Sequence, residues 1–109
     1  MRGVFRTIRN DIETDSDLKV FVVGSLSQEK EIKEYAKKLA TKIGVENVRY
    51  AKKEPDKDFD YLVLQAYKNI DWADVVYIMK KPDGTIGTGT TYEMQYAMHT
   101  GTHINYIKS

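Results

Sequence analysis

The sequence predicts a small three-layer α/β domain with a parallel sheet of about four to five strands, in the Rossmann-like or flavodoxin-like arrangement. Segments 19–24 (KVFVVG) and 74–79 (DVVYIM) are short and almost entirely apolar, which is typical of strands buried on both faces of a sheet. Longer segments with a helical apolar period lie between the strand candidates. This alternation indicates right-handed crossovers between parallel strands, with helices on both faces of the sheet.

The first half of the chain predicts an arm, a strand, a helix and a second strand. Residues 1–18 carry many charges and few apolar side chains, so we interpret them as an N-terminal arm ahead of a domain at 19–109. One apolar stripe at helical spacing predicts a helix over 27–43. A short strand is expected at 46–50. The members of the helical stripe are Ile32, Tyr35, Ala36, Leu39, Ala40 and Ile43.

The second half predicts two helices that each lead into a strand. Asp58 is a candidate N-cap for a helix over 59–72, which leads into the strand at 74–79. A loop at 80–89 precedes a third helix at about 90–100, and the last strand is expected at 103–107. The side chains of the second helix that should face the core are Phe59, Leu62, Val63, Ala66 and Ile70.

Composition excludes several classes of function. Seventeen basic and sixteen acidic side chains give a net charge of +1, so no overall field favours nucleic acid or an anionic membrane. The absence of cysteine excludes disulfides, thiolate metal sites and cysteine nucleophiles. No apolar run approaches a membrane span, and no signal peptide is evident. We therefore expect a cytoplasmic protein with no nucleic-acid or membrane partner, and with no metal or cofactor.

The loops at the carboxyl ends of the strands are the expected ligand site, because open α/β sheets bind ligands there. This edge brings 24–27 beside 80–93, a segment rich in glycine and threonine. Backbone N–H groups and hydroxyls in such a loop can contact a ligand at the positive end of a helix. Gly87, Gly89 and Thr90 are therefore candidate substrate-binding residues, although the loop matches neither common phosphate-binding motif.

Glu93 has two interpretations. Thr90 and Glu93 have the spacing of a capping box, in which the carboxylate bonds back to the amide that starts the helix. Alternatively, a carboxylate at the mouth of the cleft could attack an anomeric carbon or stabilise a cationic transition state. Spacing alone does not decide between a structural and a chemical role.

Three stretches resemble the nucleoside 2-deoxyribosyltransferase family. KVFVVGSL at 19–26 is similar to that family's first strand and glycine-containing loop, and IDWADVVYIM at 70–79 is similar to its helix–Asp–strand segment. IGTGTTYEMQYAMHTGTHINYI at 86–107 resembles its catalytic signature. The residues that match this signature are Gly89, Tyr92, Glu93, Tyr96, Ala97 and Gly101.

The resemblance implies cleavage of the N-glycosidic bond of a 2′-deoxynucleoside or deoxynucleotide through a covalent deoxyribosyl–Glu93 intermediate. It implies that Tyr92 contributes to the pocket or steers the carboxylate, and that Gly24 and Ser25 line the sugar or phosphate side. It also implies that Asp74 helps to hold the cleft together, although a structural Asp between helix and strand is at least as good an interpretation of that residue. Because family members are commonly oligomers, it also implies a homo-oligomer.

One catalytic position departs from the family's pattern. An acidic residue usually lies five or six positions before the nucleophile, where this chain has Gly87 and Thr88. The nearest upstream acid is Asp83, which is the candidate for proton transfer to the base. Two other functions stay open: a nucleotide-binding module of the same fold without catalysis, and a glutamate-dependent hydrolase that acts on NAD.

Overall fold

The computed structural model describes residues 18–107. Within this range there are four strands and three α-helices in strict alternation. In chain order they are β1 (Val20–Gly24), α1 (Glu29–Ile43), β2 (Val48–Tyr50), α2 (Phe59–Trp72), β3 (Val75–Met79), α3 (Thr88–Thr100) and β4 (His103–Ile107). The predicted element order is confirmed. The predicted N-terminal arm lies outside the described residues except for Leu18, which is buried in the core.

The four strands form one parallel sheet in the order β2-β1-β3-β4. The chain leaves β1 toward one side to form β2, and then crosses back over β1 to form β3. The strand order therefore reverses between β1 and β3, which is where a crevice opens at the carboxyl ends of the strands. This arrangement confirms the predicted α/β class and parallel sheet.

Alternate residues of β1 and β3 supply two separate cores. On one face Val20, Val22 and their β3 neighbours pack against α1, and on the other face Phe21 and Val23 pack against α2 and α3. Both central strands are buried along their whole length, and each fully buried side chain contributes about 1.5–3 kcal/mol through removal from water. The two helical layers with the sheet between them are the three layers predicted.

Asp74 lies between the end of α2 and the start of β3, as the resemblance implied. It directly precedes β3, so it lies at the amino end of the sheet, opposite the edge where the strands end. The Lys19 N–H donates to Asp74 Oδ2 at 2.9 Å, and the Asp74 N–H donates to the Lys19 carbonyl at 2.8 Å. Asp74 therefore fixes the start of β3 beside β1, and it does not line the cleft described below.

We expect Asp74→Ala to lower the free energy of unfolding by about 1–2 kcal/mol, because the Lys19 amide loses its acceptor. Asp74→Asn should retain most of the stability, since its side-chain carbonyl can accept the same bond. Urea unfolding followed by circular dichroism measures both variants. If Asp74→Ala had the same free energy of unfolding as the wild type, this structural role would be contradicted.

Candidate functional site

A cleft of about 610 Å³ opens beside the carboxyl end of β1, between the edge strand β2 and helix α2. The start of α3 closes one end of the cleft, and this volume lies in the range of small-molecule sites. The segments that line it are the β1 loop at 24–26, β2 and its following loop, the inner side of α2, and residues 87–90 with Glu93.

The walls of the middle of the cleft are apolar. Leu62 and Val63 of α2 line it, together with Phe21 and Ala66 at its floor. The sequence predicted that Phe59, Leu62 and Val63 would face the core, but Phe59 is half exposed at the cleft mouth and none of the three is buried. These side chains face the cleft because β2 is only three residues long and leaves part of α2 without a strand to cover.

Helix α3 begins two residues earlier than predicted, and the capping box does not form. Gly87 is the N-cap, and its carbonyl accepts from both the amide and the hydroxyl of Thr91 at 2.9 Å. Glu93 consequently lies in the second turn, too far along the helix to bond the N-cap amide. The capping interpretation of Glu93 is wrong.

Glu93 lies on the sheet-facing side of α3. Thr90, Glu93 and Ala97 are spaced by three and four residues and so share one helix face, and Thr90 and Ala97 are both buried. Glu93 occupies the position between them and lines the cleft. Burying a carboxylate at an inward position of a helix costs free energy, so packing alone does not explain its presence there.

The surroundings of Glu93 disfavour its charged form. Burial among protein atoms raises the pKa of Glu93 from 4.5 to about 8. Among the described residues no hydrogen bond or ion pair holds this carboxyl group. At pH 7 the free protein therefore carries a mostly neutral Glu93, available as a hydrogen-bond donor and convertible to a weakly solvated, reactive carboxylate.

The structure brings most of the predicted binding residues together around Glu93. Gly24, Ser25, Gly87, Gly89 and Thr90 all line the cleft. The β1 loop and the α3 loop are in contact: a Cβ atom on Gly87 would lie 3.7 Å from the Ser25 Cβ and 3.8 Å from the Lys81 Cε. Backbone amides of the two loops and the Ser25 hydroxyl therefore lie in the same part of the cleft as the carboxylate, while Lys81 lies behind Gly87 and outside the lining.

Besides Asp74, two predicted residues lie outside the cleft lining. Asp83 is fully exposed, and hydrogen bonds from the Thr85 hydroxyl and amide, at 2.6 and 3.0 Å, lower the pKa of its carboxyl group. Asp83 therefore stabilises its own turn, and its role as a catalytic acid stays a prediction. Tyr92 is 45% exposed and contacts Phe59 edge to face, with ring centroids 5.8 Å apart, so it supports the rim rather than the pocket.

Several polar residues of the cleft were missed by sequence reasoning, among them Lys52 and the four discussed here. Glu54, from the loop after β2, is a second carboxylate in the lining, and Arg49, Gln65 and Asn69 line the end away from α3. Gln65 and Asn69 are four residues apart beside the apolar stripe of α2, a spacing that could have identified them as one face. Arg49 gave no such signal because its strand is short and half exposed.

Two kinds of feature were not found within residues 18–107. No three His, Asp or Glu side chains are grouped so that they could hold a metal ion, and no helix there is long and apolar enough to cross a membrane. Comparisons of the chain with family models, curated proteins and solved structures gave no match.

The raised pKa of Glu93 predicts how stability depends on pH. The native protein holds this proton more tightly than the unfolded chain, so its contribution is fully present below pH 4.5 and is lost as pH rises through about 8. Glu93→Gln removes the titration. We expect the free energy of unfolding of the variant, relative to that of the wild type, to rise by on the order of 3 kcal/mol between pH 4 and pH 9.

Urea unfolding at a series of pH values measures this difference. Asp83→Asn is the matched control with the opposite sign: because its pKa is lowered, the variant should lose stability at neutral pH and match the wild type in acid. A pH-independent difference between wild type and Glu93→Gln would show that Glu93 is not desolvated.

Proposed function

We propose that this protein cleaves the N-glycosidic bond of 2′-deoxynucleosides or their 5′-monophosphates, with Glu93 as the nucleophile. The observation that carries the proposal is a carboxyl group without a protein partner, on the inner face of α3, at one end of a cleft of nucleoside size. The resemblance in the signature around Glu93 points to the same chemistry.

The proposed reaction has two displacement steps at the anomeric carbon. A Glu93 carboxylate oxygen bonds to C1′ while the C1′–N bond breaks, and the bonding electron pair leaves with the base, which takes a proton from water at the open mouth. Water or a second base then attacks C1′ while the bond from C1′ to the Glu93 oxygen breaks and its electron pair returns to the carboxylate. The proton that the attacking group loses goes to the hydroxide left by the first step. A poorly solvated carboxylate stabilises the cationic character of the sugar in both transition states.

The loops around Glu93 suit the remaining parts of such a substrate. Amides of the β1 and α3 loops and the Ser25 hydroxyl can donate to sugar oxygens or to a 5′-phosphate. Lys81 adds a positive charge where the two loops meet. The apolar walls formed by Leu62, Val63 and Ala66 leave a space for a planar base.

One observation favours the second candidate, a nucleotide-binding module without catalysis. With a pKa of about 8, only about a tenth of Glu93 is ionised at pH 7 in the free protein. A neutral carboxyl group is a poor nucleophile but a good hydrogen-bond donor. In this function Glu93 would donate to an acceptor of a bound nucleotide and leave it intact.

We also propose a cytoplasmic location and a homo-oligomeric assembly, both carried over from the sequence. An analytical ultracentrifugation profile with a single monomer species at micromolar concentration would contradict the assembly.

We expect the purified protein to release free base from at least one deoxynucleoside or 5′-monophosphate, measured by chromatography with and without an acceptor base. Glu93→Gln should lower kcat/KM by at least about 1000-fold, because an amide cannot form the ester intermediate. Asp83→Asn, a carboxylate removed from the exposed turn, should retain wild-type activity. Binding without turnover in the wild type would favour the module, and nicotinamide release from NAD alone would favour the NAD hydrolase.

The pH dependence separates the two chemical roles of Glu93. If it acts as the nucleophile, kcat/KM rises about tenfold per pH unit below the pKa and levels off above about pH 8. If it acts as an acid, kcat/KM falls above that pH. Initial rates at low substrate concentration between pH 5.5 and 9.5 distinguish these results, and a falling profile would exclude the proposed nucleophile.

A further inference from the structure

The end of the cleft away from Glu93, here called the inner end, is formed by Arg49, Gln65 and Asn69. The Arg49 guanidinium lies over the Trp72 ring, 4.1 Å from its centroid, and its Nη1 donates to Asn69 Oδ1 at 3.0 Å. These two contacts hold the guanidinium in one orientation. A positioned guanidinium is suited to recognise a planar partner.

At the inner end, where Arg49 is exposed to solvent, Arg49 and Asn69 offer donors and the Gln65 amide offers both donors and an acceptor. Arg49 has five N–H donors and no acceptor, and no carboxylate among the described residues pairs with it. Since Arg49 can only donate, the oxygen of the Asn69 amide must face it, and the NH2 group is the part of that side chain left without a partner in residues 18–107. A ligand edge that meets these groups must present acceptors.

The inner end and Glu93 lie at different depths. Arg49 pairs in register with Phe21, three residues before Gly24, where β1 ends. This separation is roughly 10 Å along the strand. Because the wall between the two ends is apolar, a base bonded to a sugar at Glu93 would extend along this wall toward Arg49.

On the basis of the function proposed above, we propose that the inner end selects the base, and that the preferred bases carry a carbonyl on the edge remote from the sugar: 6-oxopurines and 4-oxopyrimidines. Their O6 or O4 atoms accept hydrogen bonds, whereas N7 accepts in every purine and does not discriminate. Adenine and cytosine present an amino group at the corresponding position. This amino group would face Arg49 and Asn69, which are also hydrogen-bond donors, so no bond could form between them. Unpaired polar groups of this kind are how sites reject close analogues.

The test compares deoxyinosine with deoxyadenosine, which differ in the 6-carbonyl and 6-amino groups and in the proton at N1. Isothermal titration calorimetry is performed on Glu93→Gln, so that neither ligand is consumed. We expect deoxyinosine to bind at least about tenfold more tightly. Adding Arg49→Met should bring the ratio of the two dissociation constants close to one, and Arg49→Lys, which keeps charge but not the planar donor array, should give an intermediate ratio.

Lys68→Met is the matched control, because it replaces an exposed cation of α2 that does not line the cleft, and it should leave the ratio unchanged. Thermal unfolding confirms that each variant folds. If Arg49→Met does not fold, the comparison of Arg49→Lys with the parent protein provides the test. Equal affinities, a ratio unaffected at Arg49, or no binding of either nucleoside would overturn the proposal.

The same experiment separates this inference from the proposed function. A preference for deoxyinosine that depends on Arg49, in a protein whose wild type releases no base, supports the inference and contradicts the enzyme. Base release by the wild type with no preference between the two nucleosides supports the enzyme and contradicts the inference.

Discussion

The pairing of β1 with β3 is the interaction on which the rest of the structure depends. These two strands pair over five residues, and every one of those residues is buried. At the last pair the strands allow no side chain on Gly24, since a Cβ atom there would lie 3.1 Å from Ile32 and Met79. The close packing fixes where the β1 loop leaves the sheet, and it brings Ser25 against the loop that starts α3.

The same topology explains why the cleft lies beside β2. Helix α2 must cross over β1 to connect an edge strand with β3, and only its second half packs on the sheet, through Ala66 and Ile70. The first half extends past the short edge strand. As a result, apolar surface faces the cleft, and a desolvated carboxyl group lies at its end. Both features lower the stability of the fold. Stability and the proposed function oppose each other at Glu93, a conflict that is common in functional sites.

The fold was predictable from the sequence because each element carries a strong local signal. The buried strands are continuous apolar runs, and the helices have clear periods and ends, such as the Asp58 cap, whose side chain accepts from the Tyr61 amide at 2.8 Å. The site was only partly predictable. Glu93 and its neighbouring loops lie close together in the chain, so their proximity in space follows from a single strand–loop–helix unit.

Sequence reasoning recognised residue types better than it recognised where they lie. It missed the end of the strand at which a residue lies and contacts between residues far apart in the chain. Asp74 and Asp83 are carboxylates near the right elements, but one lies at the opposite end of its strand and the other bonds its own turn. Arg49 and Asn69 are twenty residues apart and meet only because an edge strand and a crossover helix pack side by side. No local pattern encodes such a pair.

The stacking of Arg49 on Trp72 has a practical consequence. Trp72 is the only tryptophan in the chain, so all of the indole fluorescence comes from one ring that contacts the guanidinium of the inner end. A ligand that reorients Arg49 changes the polarity around that ring. Under the proposal made above, the fluorescence of Trp72 would therefore report the occupancy of the cleft.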